Sequence, residues 1–99
     1  MNTFVQNSND SDNTPLAYFW MGEINLTNGN LAVATQNYNT LVGLYPTHWK
    51  VPLAKFKLGT IYFKQGSSER AVALFESIVR EYPDSSAAKA SAETLSSLE

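Results

Sequence analysis

Apolar residues along this chain recur at steps of three and four, the spacing of one helix face, and glycine or proline interrupts the pattern at regular intervals. The periodicity predicts helices over about 15–27, 31–44, 52–64 and 68–81. Asn28-Gly29-Asn30 and Gln65-Gly66-Ser67 separate them in pairs as tight turns, with glycine supplying a positive φ. Tyr45-Pro46 and Tyr82-Pro83 close each pair, because proline cannot continue a helix and pushes the preceding residue out of the α region. Thr14 reads as an N-cap with Pro15 at the first helical position. Asp84-Ser85-Ser86 offers another cap, followed by the short, Ala-rich AAKASAETLSSL of 87–98, which suits a terminal capping helix. Residues 1–13, MNTFVQNSNDSDN, are rich in Asn, Ser and Asp and are expected to be a disordered tail or an appended remnant.

The chain repeats itself. Pro15, Leu16, Ala17, Phe19, Gly22, Ile24, Gly29, Ala34, Val42, Tyr45 and Pro46 recur 37 residues later as Pro52, Leu53, Ala54, Phe56, Gly59, Ile61, Gly66, Ala71, Val79, Tyr82 and Pro83. A period between about 20 and 50 residues signals a solenoid, each unit being one supersecondary element. Gly22 and Gly59 fall in mid-helix, where glycine costs about 0.5–1 kcal/mol relative to alanine. Their recurrence at one phase implies close helix–helix approach. Ala34 and Ala71 are expected against these glycines, with Tyr38 and Phe75 filling the space beyond.

These residues resemble the tetratricopeptide-repeat (TPR) consensus, in which small and large residues alternate between paired helices. Tyr18, Met21, Gly22, Ala34, Tyr38, Leu41 and Pro46 fall on the pattern in the first unit; Leu58, Gly59, Tyr62, Ala71, Phe75, Ile78 and Pro83 do so in the second. Asn25 and Lys55 depart from it, standing where Tyr62 and Tyr18 stand in the other copy. The resemblance implies an all-α TPR superhelix over 14–99, with repeats at about 15–46 and 52–83 and a capping helix at about 86–98. More narrowly, the 37-residue spacing, AYFWMGE, AKFKLG, the two YP turns and the closing YPDSSAAKASAETL look like the C-terminal domain of the Tol–Pal-associated cell division coordinator family (the YbgF/CpoB type). That likeness implies a periplasmic adaptor that binds TolA or another envelope protein and links outer-membrane constriction to peptidoglycan synthesis. Members of that family usually carry an N-terminal coiled coil and a further repeat, so this chain reads as a fragment or a shortened relative. YPTHWKVPLA also resembles the TPR lipoprotein of outer-membrane protein assembly, whose chain is longer and carries a lipidated Cys.

Charge and chemistry narrow the function by exclusion. Seven basic and nine acidic residues leave a net charge of −2, which suits neither nucleic acid nor an anionic membrane surface. No Lys or Arg precedes Lys50, and between Thr14 and Trp49 the one charged carboxylate is Glu23. The chain has no cysteine, which removes disulfides and thiolate chemistry. No apolar run of about 18 residues is present to span a membrane. Met1–Asn13 has neither a basic nor an apolar signal region, so a signal, if the parent protein is exported, is not in this sequence. His48 is the one histidine and is read as a loop residue packing on its neighbours. Glu76 and Glu81, five apart on a helix, face different ways, and no Gly-rich phosphate loop exists. The sequence therefore implies no cofactor, no metal site and no catalytic residue.

What remains is surface for protein binding. By phase, Phe19, Glu23, Leu26 and Thr27 from the first unit, and Phe56, Thr60, Phe63 and Lys64 from the second, are expected along a groove lined by each unit's first helix. Phe19 and Phe56 could equally belong to the core, and Trp20 could be an exposed anchor or an oligomer contact. Two units plus a cap leave the N-terminal side open, and with the nearly uncharged first unit this suggests self-association through residues 15–45 or a further repeat ahead of it, with a structural oligomerisation unit as the alternative function.

Overall fold

A computed structural model describes residues 13–98, which form five helices: α1 (Asn13–Thr27), α2 (Leu31–Leu44), α3 (Val51–Lys64), α4 (Ser68–Glu81) and α5 (Ser86–Leu98). Residues 1–12, most of the expected tail, lie outside the described residues. Helix α1 already includes Asn13, so Thr14 and Pro15 sit within its first turn rather than as cap and first residue.

The turns inside the two pairs are the same motif. Gly29 and Gly66 take φ of 83° and 86°. At the first turn the Asn30 N–H donates to the Asn25 carbonyl (2.8 Å) and the Gly29 N–H to Leu26 (3.1 Å). At the second, Ser67 donates to Tyr62 (2.8 Å) and Gly66 to Phe63 (3.1 Å). Both are Schellman closures, which satisfy the last carbonyls of α1 and α3 and turn the chain back on itself. Helices α2 and α4 end on Tyr45 and Tyr82, whose N–H groups reach Leu41 and Ile78 before proline stops each helix. Helix α5 is capped by Ser85, whose Oγ accepts the Ala88 N–H at 3.0 Å.

Each helix packs on the next in sequence, α1 on α2 through to α4 on α5, and α5 also touches α3. One core cluster joins the first three helices through Phe19, Ala34, Tyr38, Leu41, Ala54, Leu58 and Ile61. A second joins α4 to α5 through Ala71, Phe75, Ile78, Ala87 and Ala88, with Phe56 of α3 packed against it. The mid-helix glycines mark close approach to an aromatic ring of the paired helix. A Cβ at Gly22 would stand 2.6 Å from Cε1 of Tyr38, and one at Gly59 would stand 2.5 Å from Cε1 of Phe75. The three nearest atoms in each case are ring atoms, so the rings of Tyr38 and Phe75 occupy that space.

The two departures from the repeat pattern keep their contacts by different chemistry. In the first unit the rings of Tyr18 and Tyr45 lie 6.5 Å apart. One repeat later Lys55 places its ammonium 5.4 Å from the ring of Tyr82 and pairs with Glu81 at 3.2 Å. Asn25, at the place of Tyr62, donates to Asn37 Oδ1 at 3.0 Å, so an amide pair joins α1 to α2 there.

Candidate protein-binding face

Helices α1 and α3, the first of each pair, are linked by a polar contact that crosses both units. Glu23 Oε2 accepts the Tyr38 hydroxyl at 3.0 Å and lies 3.3 Å from Lys57 Nζ. One carboxylate oxygen thereby ties α1, α2 and α3 together. Tyr38 is fully buried, and that burial, reinforced by its bond to the Glu23 carboxylate, raises the phenol well above its ordinary range.

Helical spacing then shows what shares this face. Trp20, Glu23 and Thr27 follow one another along α1 at steps of three and four; Lys57, Thr60 and Lys64 do the same along α3. Trp20 is 55% exposed, and together with Glu23, Ile24, Thr27 and Asn28 it lines a shallow hollow. Phe63, next to Lys64, is 43% exposed.

The residues expected from the sequence divide into three groups. Thr27, Phe63 and Lys64 are exposed, and Glu23 and Thr60 are half-buried. Leu26 is also half-buried and packs against the first core cluster, as Phe56 does against the second, its ring 5.4 Å from Phe75. Phe19 is buried, with its ring edge-on to Tyr38 at 5.8 Å. It belongs to the core and offers a partner no surface. The reason is geometric: α3 and its leading loop close over the side of α1 that carries Phe19, and Lys50 of that loop covers the ring at 4.4 Å.

Lys50 is also the centre of a cluster that periodicity does not single out. Its ammonium lies 5.7 Å from the ring of Trp20 and 5.1 Å from that of Trp49. Trp49 is 68% exposed and stacks on His48 with ring centroids 5.3 Å apart. His48 Nδ1 accepts the Lys50 N–H at 3.1 Å, which leaves the ring proton on Nε2 when the imidazole is neutral. The imidazole thus shapes the α2–α3 loop, and its buried Nε2 has no hydrogen-bond partner among the described residues. Among the described residues no group of His, Asp and Glu is arranged to hold a metal, and no helix is long and apolar enough to cross a membrane.

Residues 53–85, covering nearly all of α3 and α4, match the sequence profile of the tetratricopeptide repeat. The fold is a tetratricopeptide-repeat fold. The match falls on the second unit, and the 37-residue internal repeat carries the same pattern back onto the first. Comparison with curated proteins gives no significant match. A TPR domain presents helix surfaces to a protein partner, and such repeats are typically interaction scaffolds rather than catalysts.

Proposed function

We propose that this TPR domain is an adaptor that binds a segment of another protein along the shared face of α1 and α3. The observation that carries the reading is the Glu23–Lys57 pair, which links the two first helices, on which Trp20, Thr27, Phe63 and Lys64 are exposed. Tryptophan is enriched among the residues that dominate binding energy, and Trp20, at 55%, and Phe63, at 43%, are exposed aromatic side chains on these two helices.

The finer assignment rests on the likeness of AYFWMGE, AKFKLG and the closing YPDSSAAKASAETL to the Tol–Pal-associated cell division coordinators. In that reading the domain works in the periplasm, binds the periplasmic region of TolA and couples outer-membrane constriction to peptidoglycan synthesis. Titration of the domain with that region of TolA, followed by tryptophan fluorescence, tests it. The expected result is saturable binding that weakens at least tenfold in the Trp20→Ala/Phe63→Ala double variant. A folded domain that shows no binding removes TolA as the partner.

A further inference from the structure

Charge is divided unevenly between the two helices of the α1–α3 face. Lys50, Lys57 and Lys64 follow one another at steps of seven residues, two helical turns each, so they form a row along one side of α3. Helix α3 contains no Asp or Glu. The residues 37 positions before Lys57 and Lys64 are Trp20 and Thr27, the exposed residues of α1 on this face. The repeat therefore builds one face in two halves, aromatic and nearly uncharged on α1, cationic on α3. On α4 and α5 the basic residues are outnumbered by Glu69, Glu76, Glu81 and Glu93, and no comparable row forms there.

Pairing within the chain neutralises the middle of the row and leaves both ends charged. Lys57 is tied to Glu23 at 3.3 Å, whereas Lys50 and Lys64 lie in no ion pair among the described residues. Lys64 is exposed beside Phe63. Lys50 is held over the ring of Phe19 and flanked by the exposed rings of Trp20 and Trp49, which attract the ammonium without cancelling its charge. Two free ammonium groups thus stand about 20 Å apart by the helical rise, with aromatic surface beside each.

We propose that the segment bound along the α1–α3 face is acidic at both ends and apolar between, its carboxylates meeting Lys50 and Lys64 and its apolar side chains lying on Trp20 and Phe63. The inference rests on the adaptor reading of this face and names the chemistry of its occupant. Charge complementarity carries it. A net charge of −2 over the whole chain disfavours acidic partners in general, yet this face sets three lysines against one glutamate. The middle of the segment is uncharged because Glu23 already matches Lys57 there.

The test uses the whole chain and a fluorescein-labelled peptide, EESLFSLSEE, beside a counterpart with Gln in place of every Glu. The acidic peptide is expected to bind saturably, to shift the Trp20 indole and Lys64 amide signals, and to bind at least tenfold more tightly than the Gln counterpart. Lys50→Gln/Lys64→Gln is expected to weaken it at least tenfold, and Lys64→Gln alone, at an exposed position clear of the core, by a smaller factor. Arg70→Gln/Lys89→Gln removes the same charge from exposed positions on α4 and α5 and is expected to leave binding within twofold. Equal weakening by the two double variants overturns the proposal, because net charge alone then explains binding. Equal binding of both peptides with shifts on α1 and α3 overturns the acidic occupant and leaves the adaptor face standing. Shifts confined to other surfaces count against both, and absence of saturable binding at millimolar peptide overturns the acidic occupant alone.

Discussion

The ring of Phe75 occupies the space that the Cβ of any other residue at Gly59 would need, with Cε1 2.5 Å from that position. Tyr38 does the same at Gly22. The glycine is therefore part of the packing between the helices of a pair.

Gly59→Ala is thus expected to destabilise the domain by about 1–3 kcal/mol from overpacking, partly offset by roughly 1 kcal/mol of better helix propensity. The obstruction is a core ring in close-packed surroundings, so it cannot swing away. Urea denaturation checks this, and the double variant Gly59→Ala/Phe75→Leu should recover part of the loss. Equal stability of wild type and Gly59→Ala would refute the close-approach account.

Ser91 leads to the opposite expectation. Its hydroxyl is fully buried and has no hydrogen-bond partner among the described residues. Alanine occupies the same phase at Ala54 and is equally buried. Ser91→Ala is expected to stabilise the domain by about 1 kcal/mol, because it removes an unsatisfied polar group and improves helix propensity. A rise in thermal midpoint without loss of helical signal is the predicted readout.

Tyr38 predicts an alkaline limit to stability. Burial and the Glu23 hydrogen bond hold its hydroxyl protonated in the folded state, raising its pKa above the ordinary value of 10.0. Above that value the unfolded chain releases the proton while the folded chain retains it, so the unfolded state binds fewer protons and stability falls as pH rises. The contribution is fully present below about pH 10 and is lost progressively above it. Denaturation midpoints measured between neutral and strongly alkaline pH should show this slope, and Tyr38→Phe should flatten it.

Phe19 and Phe63 separate core from surface. Phe19→Ala is expected to cost about 3–5 kcal/mol, since it empties a buried aromatic site. Phe63→Ala is expected to cost far less, about 1 kcal/mol, because that side chain is 43% exposed. Any effect of Phe63→Ala on partner binding can then be read directly, whereas loss of binding in Phe19→Ala reports unfolding. Chemical denaturation of both variants beside the titration distinguishes the two.

Much of the fold is legible in the sequence because its determinants are local or repeated. Gly29 and Gly66 announce their turns through a conformation that other residues enter at a cost. The Tyr-Pro pairs stop helices wherever they fall, and the recurrence of Gly22 at Gly59 reveals that helices approach closely. These features also place Thr27, Phe63 and Lys64 on the exposed side of α1 and α3.

Other features depended on what lies opposite each residue, which helical phase does not encode. Phe19 and Phe63 are alike in composition, yet only Phe19 is closed over by Lys50 and its loop. Ile24 and Ile61 occupy one phase of one repeat and differ in exposure from 59% to 0%. A helix has a covered face only where another helix lies against it, and that neighbour is set by the order of elements along the chain. The sequence by itself determined two helical hairpins, their turns and the close approach within each pair. The tertiary structure alone decided which apolar side chains became core and which stayed at the surface, through the packing of α2 on α3 and the absence of a described helix over the flank of α1.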